Sequence, residues 1–483
     1  MGAVYSRRAW SLVSRLVAML VVCAALAPAA NVSASQRRAA SSRMYAQNPC
    51  TPVYASPAAN SPLLTQLIGG SDVSALGTVA AAGTPWTHVH IWSGIDGYIP
   101  SSQLGPQAPD SPAEGDCSFP GLPYTPSTAI PPDSGPAPFV KQGTVAAPAT
   151  LFSHPDDRSS PLAGAAVGAP LSTRQWTADS GGAPWFQVSV AGAVGWMRAD
   201  QTRLDAPDPA TREVNGAPIW APVAGKGLWF TNYLAHHSDM DTLMRAAKLA
   251  GVTHLYAEVA ITEYGFYGRD SLDRLLPAAH RQGISVIAWV YPTLSDISAD
   301  IRMTQQVLQY VGPHGERPDG YATDVEEVDD SASVYAYGQV IRALAGPDAL
   351  LVAAVFHPYA QAYYPYAAIA ASWNVLAPMD YWHSQRDRAY APHDVSTFEA
   401  NSLTTIRASM SALGAAHPIP VEELGQTYDM YSSDGVDLGN GPSGAEVTVD
   451  LRTARDYGCI GASFFEWQTA SQDEWAALAQ FQW

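Results

Sequence analysis

From about Gly225 onward the chain repeats one unit, a short apolar run of strand length followed by a stretch with helical spacing. The runs are GLWFTNY (227–233), THLYAEVA (253–260), SVIAWVY (285–291), GYATDVEE (320–327), LLVAAVF (350–356), NVLAPMDYW (374–382), PIPVEELGQ (418–426) and IGASFFEW (460–467). Between them, DMDTLMRAAKLAG and SLDRLLPAAHRQG space their apolar residues as helices do and close on Gly, the residue that best ends a helix. SDISADIRMTQQVLQYVG begins at Ser295, the expected N-cap. Near-continuous apolar strands separated by helices require a parallel sheet covered on its faces. Eight such units over about 255 residues match the size and rhythm of a closed (β/α)8 TIM barrel. The rival, a doubly wound open sheet, would carry a Gly-rich phosphate loop after its first strand, and none follows residue 233. A barrel over 225–483 is therefore expected.

Polar and aromatic residues gather at the C-terminal ends of these runs, where such barrels place their chemistry. The ends carry Tyr233, Glu258, Trp289, Tyr291, Asp324, Glu326, Asp380, Tyr381, Trp382, Glu422, Glu423, Gln426, Glu466 and Trp467, while the N-terminal halves are plain apolar strand. Stability alone requires no ring of carboxylates and aromatic rings, whereas a sugar uses both, as acid/base groups and as stacking faces. The substrate-binding candidates are Trp467, Trp382, Trp289, Tyr291, Tyr233, Glu258, Asp380, Glu422 and Gln426. Two of these carry a competing role: alternation turns Asp380 away from the mouth, toward a structural bond, and Glu258 can equally line the mouth or bind a neighbouring strand. His254, His280 and His357 are expected to be structural.

The most acidic stretch is DGYATDVEE, 319–327. Strand period places Ala322, Asp324 and Glu326 on one side and Thr323, Val325 and Glu327 on the other. With Val325 toward the helices, Asp324 and Glu326 point into the mouth, and two carboxylates this close raise one pKa, giving a group able to act as an acid near neutral pH. Asp319 stands at the strand's start and Glu327 is turned outward.

This stretch resembles the fourth-strand motif of family 18 glycoside hydrolases, the chitinase-like enzymes, whose pattern is Asp-Gly-x-Asp-x-Asp-x-Glu. Asp319, Gly320, Asp324 and Glu326 match, and Ala322 replaces the middle Asp. The family's sixth-strand Met-x-Tyr-Asp/Asn is similar to MDYW, in which Met379 and Tyr381 match and Trp382 departs. Trp467 sits where those enzymes keep the Trp that floors the sugar site. The resemblance implies catalytic roles for Glu326, Asp324 and Tyr381: Glu326 protonates the glycosidic oxygen, Asp324 orients the N-acetyl group that attacks the anomeric carbon, and Tyr381 hydrogen-bonds that acetamido group. The TDVEE string also resembles the Asp-x-Glu of family 25 muramidases, which act on peptidoglycan. A third arrangement is a two-Glu retaining enzyme with Glu422 or Glu423 as nucleophile, although Val325 stands where that clan keeps an Asn before its acid. The contrasting class is a non-catalytic carbohydrate- or cell-wall-binding protein on a degenerate barrel, toward which Ala322 and Trp382 point.

Ahead of the barrel, an internal repeat is visible. PVYASPAANSPLLTQL and GTPWTHVHIWSGIDGYIPSSQL parallel TLFSHPDDRSSPLAGAA and GAPWFQVSVAGAVGWMRADQTRL. Short alternating strands with Gly/Pro turns argue two small all-β barrels, at 48–105 and 147–206. The pattern resembles bacterial SH3-like domains, which are commonly attached to exported wall-active enzymes, and it implies cell-wall binding. Trp86, Trp92, Trp185 and Trp196 suit either a ligand platform or the core, the commoner fate of Trp in so small a barrel. Residues 106–146 are a Pro-rich, semi-rigid spacer.

Residues 1–34 have the pattern of a secretory signal peptide, with Arg7, Arg8 and Arg15 before a short apolar run and then small residues. A secreted or wall-associated protein with no membrane span after cleavage is expected. In that compartment Cys50 and Cys117 can pair, while Cys459 reads as a buried free thiol. A formal charge of −18 argues against nucleic acid as a partner. No Cys/His spacing resembles a zinc site, and neither metal nor cofactor is expected. The expected partner is a polysaccharide built from N-acetylhexosamine, such as peptidoglycan or a chitin-like polymer.

Overall fold

The computed structural model describes residues 42–48, 50–68, 72–91, 95–107, 137–181, 183–205, 212–231, 239–326, 331–358, 364–384, 392–412, 419–428, 441–467 and 470–483. Residues 1–34, Trp92, most of the Pro-rich stretch 106–146, Cys117, Tyr233 and Glu327 lie outside these residues. Cys50 is disulfide-bonded, and Cys459 is a buried free thiol.

The two repeats form two antiparallel sheets with one strand order. In the first, the order is Leu63–Ile68, Cys50–Tyr54, Ile95–Pro100, Thr84–Ile91, Asp72–Ala81, Ser42–Ala46, Leu104–Gly105. In the second it is Pro161–Ala165, Ala149–Phe152, Ala193–Arg198, Pro184–Val190, Pro170–Ala178, Gln142–Val145, Thr202–Leu204, with Ala137–Pro138 added beside Pro170–Ala178. The Pro-Trp and Gly-aromatic pairs recur for packing reasons. Trp86 meets Tyr54 edge-on at 5.6 Å, and Trp185 meets Phe152 in the same way at 5.9 Å. A side chain at Gly97 would stand 2.5 Å from Val53, and one at Gly195 2.9 Å from Leu151, so both crossings need glycine. Trp86, Trp185 and Trp196 are buried, as core tryptophans are. The second sheet docks on the barrel through Gln339, which accepts from Leu204 N (2.7 Å) and donates to Thr202 O (2.9 Å) and Ala199 O (3.2 Å).

Eight parallel strands then close a barrel: β1 (Gly225–Phe230), β2 (His254–Ile261), β3 (Ser285–Tyr291), β4 (Gly320–Asp324), β5 (Leu351–Phe356), β6 (Val375–Met379), β7 (Glu422–Gln426) and β8 (Gly461–Phe465). They neighbour one another in sequence order, and β1 pairs with both β2 and β8, which removes every free edge of the eight. A helix follows each strand: α1 (Met240–Leu249), α2 (Arg269–Arg281), α3 (Ile297–Leu308), α4 (Ser331–Ala345), α5 (Tyr366–Ala370), α6 (Pro392–Ala412), α7 (Gly444–Asp456) and α8 (Gln472–Gln480). Gly251 (φ 73°) and Gly283 (φ 65°) end the turns after α1 and α2 in the left-handed conformation that glycine takes without strain. Ser443 with Glu446, and Ser471 with Glu474, form capping boxes that satisfy the first amides of α7 and α8. The cap of α3 is Asp296, not Ser295: its carboxylate accepts from Ala299 N at 3.0 Å, while Ser295 bonds Thr293.

The barrel interior is filled with side chains. Trp229, Tyr256, Ile287, Trp289, Ala322, Val352, Ala354, Val375, Ala377, Met379 and Leu424 make one buried cluster. Trp229 stacks on Tyr256 (4.3 Å, 7°) and donates to Ser463 Oγ at 3.1 Å. Near the N-terminal end, the His254 ring crosses so close to Gly227 that a Cβ there would stand 2.1 Å from its Nε2.

Candidate active site at the barrel mouth

Strand β4 delivers the acidic pair. Asp319 anchors the start of the strand, its Oδ2 accepting from Val286 N (2.8 Å) and from His280 Nε2 (2.9 Å). Ala322 is fully buried in the interior cluster and Val325 packs on the opposite side with the outer core, so the alternation runs inward at 322 and outward at 325. Asp324 ends the strand and Glu326 stands two residues beyond it, 4% and 9% exposed. Both carboxylates are thus poorly hydrated.

Strand β6 brings Tyr381 to the same place. Burial, then Tyr428, then the charges of Asp324, Glu326 and Glu466 push its phenol well above the ordinary tyrosine range. Tyr364, after β5, is pushed up in the same way, by burial and then by Asp324 and Glu326. Both phenols therefore stay protonated and can donate hydrogen bonds. Aromatic rings complete the mouth: Phe465 lies 6.2 Å from Tyr381, 5.8 Å from Tyr428 and 6.1 Å from Trp289. Tyr291 closes β3 and is half-buried. Glu258 is half-buried too and accepts from Tyr267 OH.

Several sequence candidates go elsewhere. Trp467 is fully buried between Phe230 (5.6 Å) and Trp475 (4.9 Å), under α8 and not over the mouth, because β8 ends at Phe465 and the chain then leaves strand period. Trp382 starts a short 3-10 turn after β6 and is fully buried in the outer core. Glu422 opens β7 at the N-terminal end of the barrel. There it accepts from Tyr256 OH and pairs with His254 Nε2 at 2.7 Å, a buried internal anchor far from solvent. Glu423 points outward among the helices, so neither strand-seven Glu serves as a nucleophile at the mouth. Gln426 is buried and braces two loops, accepting from His383 N (3.2 Å) and donating to Tyr428 O (2.9 Å). Asp380 turns away from Tyr381, is fully buried, and accepts from Ser402 Oγ at 2.6 Å. Its burial pushes its pKa up to about 7.

Phe465, Tyr428 and Tyr364 were not singled out by the sequence. Phe465 was legible in principle, since alternation from Ser463 puts it on the inner side of β8. The other two lie on loops, which no periodicity describes. Outside the mouth, Glu399, Glu423 and Asp450 offer oxygens within 4.8 Å of one another.

No protein-family model and no curated protein sequence matches the chain. Solved structures similar to it include the spore cortex-lytic enzyme SleL of Bacillus cereus, at 10% identity over 54% of this chain and 75% of that one (TM-score 0.40). A family GH18 chitinase from Cycas revoluta in complex with allosamidin is 14% identical over 53% of this chain and 98% of that one (TM-score 0.41). A class V chitinase from Nicotiana tobaccum is 12% identical over 53% and 97% (TM-score 0.39).

Proposed function

We propose that the barrel is a glycoside hydrolase acting on a polysaccharide that contains N-acetylhexosamine, of the peptidoglycan or chitin type. The observation that carries this reading is geometric: Tyr381 packs with Phe465 and Tyr428, and Phe465 with Trp289, beside the nearly buried carboxylates of Asp324 and Glu326. Carboxylates beside a protonated phenol supply acid, base and amide-binding groups, and the rings supply a face for a pyranose. In this reading Glu326 is the general acid on the glycosidic oxygen. Asp324 orients the substrate's acetamido group, whose carbonyl oxygen attacks the anomeric carbon, and Tyr381 donates to that group. The Asp that would complete the motif is absent: Ala322, fully buried, brings no polar atom beneath the pair.

Export through residues 1–34 and wall binding by two SH3-like modules belong to the same proposal. Its support is the basic-then-apolar leader and the strand order shared by the two sheets. The test is Glu326→Gln, assayed for reducing-end release from peptidoglycan and from chitin oligomers, with circular dichroism as the control for folding. Loss of at least a hundredfold in turnover with an unchanged spectrum is expected. Unchanged turnover would sink the assignment. Ala322 favours one second reading, a carbohydrate-binding barrel without catalysis, which would appear as polymer pulldown by the wild-type chain with no product released.

A further inference from the structure

Four carboxylates meet in the wall of the barrel, on the side of β6 and β7 that faces the helices. Asp380 follows β6, Glu399 lies on α6, Glu423 on β7 and Asp450 on α7, and all four are fully buried. Both oxygens of Glu399, Glu423 and Asp450, and Oδ2 of Asp380, receive no N–H or hydroxyl donor among the described residues. A hydroxyl that reaches the group, Ser402 Oγ, serves Asp380 Oδ1. Carboxyl oxygens instead face each other, Asp380 against Glu423 and Glu399 against Asp450. Opposed oxygens of this kind repel unless something positive lies between them, either a shared proton or a cation.

We infer that Glu399, Glu423 and Asp450, with Asp380 as the fourth group, bind a divalent cation of the hard, oxygen-seeking class, with calcium as the best fit. Pairwise proton sharing accounts for two oxygens at a time. Here one oxygen from each of three side chains comes within 4.8 Å of the other two, across the pairs. Ligands about 2.3–2.6 Å from a calcium ion stand at most ~5 Å apart, so the three oxygens fit one coordination sphere. Asp380 adds an observation from outside that triad: it is fully buried beside Glu423, and while Ser402 serves its Oδ1, its Oδ2 has no donor among the described residues. An all-carboxylate set selects calcium, magnesium or manganese over zinc or copper.

The cation would tie two strands to two helices. It would also fix the residue immediately before Tyr381, and so the position of that phenol, whatever the barrel does with it. No spacing signature marks the site in the sequence, because its residues come one at a time from four elements.

The experiment uses the full chain, purified without chelator. Elemental analysis is expected to find roughly one equivalent of calcium or magnesium per chain. After chelator treatment and dialysis, returning calcium at about a hundredfold excess over its dissociation constant should raise Tm by about 5–10 °C. Glu399→Gln and Asp450→Asn should each keep the metal-free Tm or raise it, by removing a buried charge, and should lose the calcium-dependent rise. A chain with no bound ion and no shift with calcium, magnesium or manganese overturns the inference. So does an equal shift in both variants, which would place the ion on the acidic surface. Should a variant fail to fold, ion content and the chelator-reversible shift of the wild-type chain decide the matter alone.

Discussion

Replacing Trp467 separates the two roles that this residue can have. If its indole floored a sugar site, Trp467→Ala would weaken polymer binding and leave stability nearly intact. The structure places it in the seam between β1, β8 and α8, with no exposed surface. An indole buries roughly 150–250 Å², worth about 4–6 kcal/mol at ~25 cal/mol/Å². That is an upper figure, because the unfolded chain already covers part of this area. Edge-on contacts with Phe230 and Trp475 at 5.6 and 4.9 Å add about 0.5–1.5 kcal/mol each. Measured losses for Trp or Phe to Ala in cores run about 3–5 kcal/mol, the range expected here. For a domain of this size each kcal/mol moves Tm by about 2–4 °C, so a fall of about 10 °C is expected. Calorimetry gives the Tm and urea titration the free energy, while polymer binding and turnover are measured at 25 °C per folded molecule. Binding and turnover within about twofold of wild type, at the lowered Tm, agree with the packing argument. A Tm within about 2 °C of wild type combined with lost polymer binding would refute it.

Three further outcomes follow from the same geometry. Phe465→Ala removes the ring around which Tyr381, Tyr428 and Trp289 are arranged, and should raise the half-saturating polymer concentration about tenfold, ~1.4 kcal/mol, in a binding isotherm. Glu422→Ala leaves the His254 and Tyr256 donors unsatisfied inside the barrel and should cost about 3–5 kcal/mol in urea unfolding. Glu422→Gln, which keeps the volume and one acceptor, should cost less, and activity lost at unchanged stability would instead mark Glu422 as catalytic. The hydrogen bond to Asp319 is the main cause of a raised His280 pKa. A raised folded-state pKa contributes stability that is complete below the unfolded value of about 6.5 and is lost as pH rises through the folded value. The Tm difference between wild type and His280→Gln should therefore be largest near pH ~5 and smallest near pH ~9, and a difference that grows with pH would contradict the pairing.

The eight-unit rhythm was legible because parallel strands buried on both faces must be apolar throughout, and amphipathic helices must cover them. The repeat ahead of the barrel was legible for the same local reason: Pro-Trp and Gly-aromatic recur because the same ring contact and the same tight crossing recur. At the site, period two set Ala322 inward and Val325 outward, although β4 ends at Asp324, three residues before the expected end. The errors begin where strands begin and end. β7 starts at Glu422, later than the apolar run suggested, so Glu422 sits at the barrel's closed end instead of its mouth. β6 ends at Met379 and β8 at Phe465, so Trp382 and Trp467, counted as strand positions, turn into the outer core.

By itself, then, the sequence determined the order of elements, the closed barrel and the inward facing of Ala322 on β4, all of which follow from short-range periodicity. Tertiary structure decided which neighbours those residues meet. A shift of one residue reverses a side chain's facing, and only the closed barrel fixes the register at every strand end. It brought Tyr364 near Asp324 and Glu326, and Phe465 and Tyr428 against Tyr381. It also gathered Asp380, Glu399, Glu423 and Asp450, scattered over four elements, into one buried cluster that no local pattern describes.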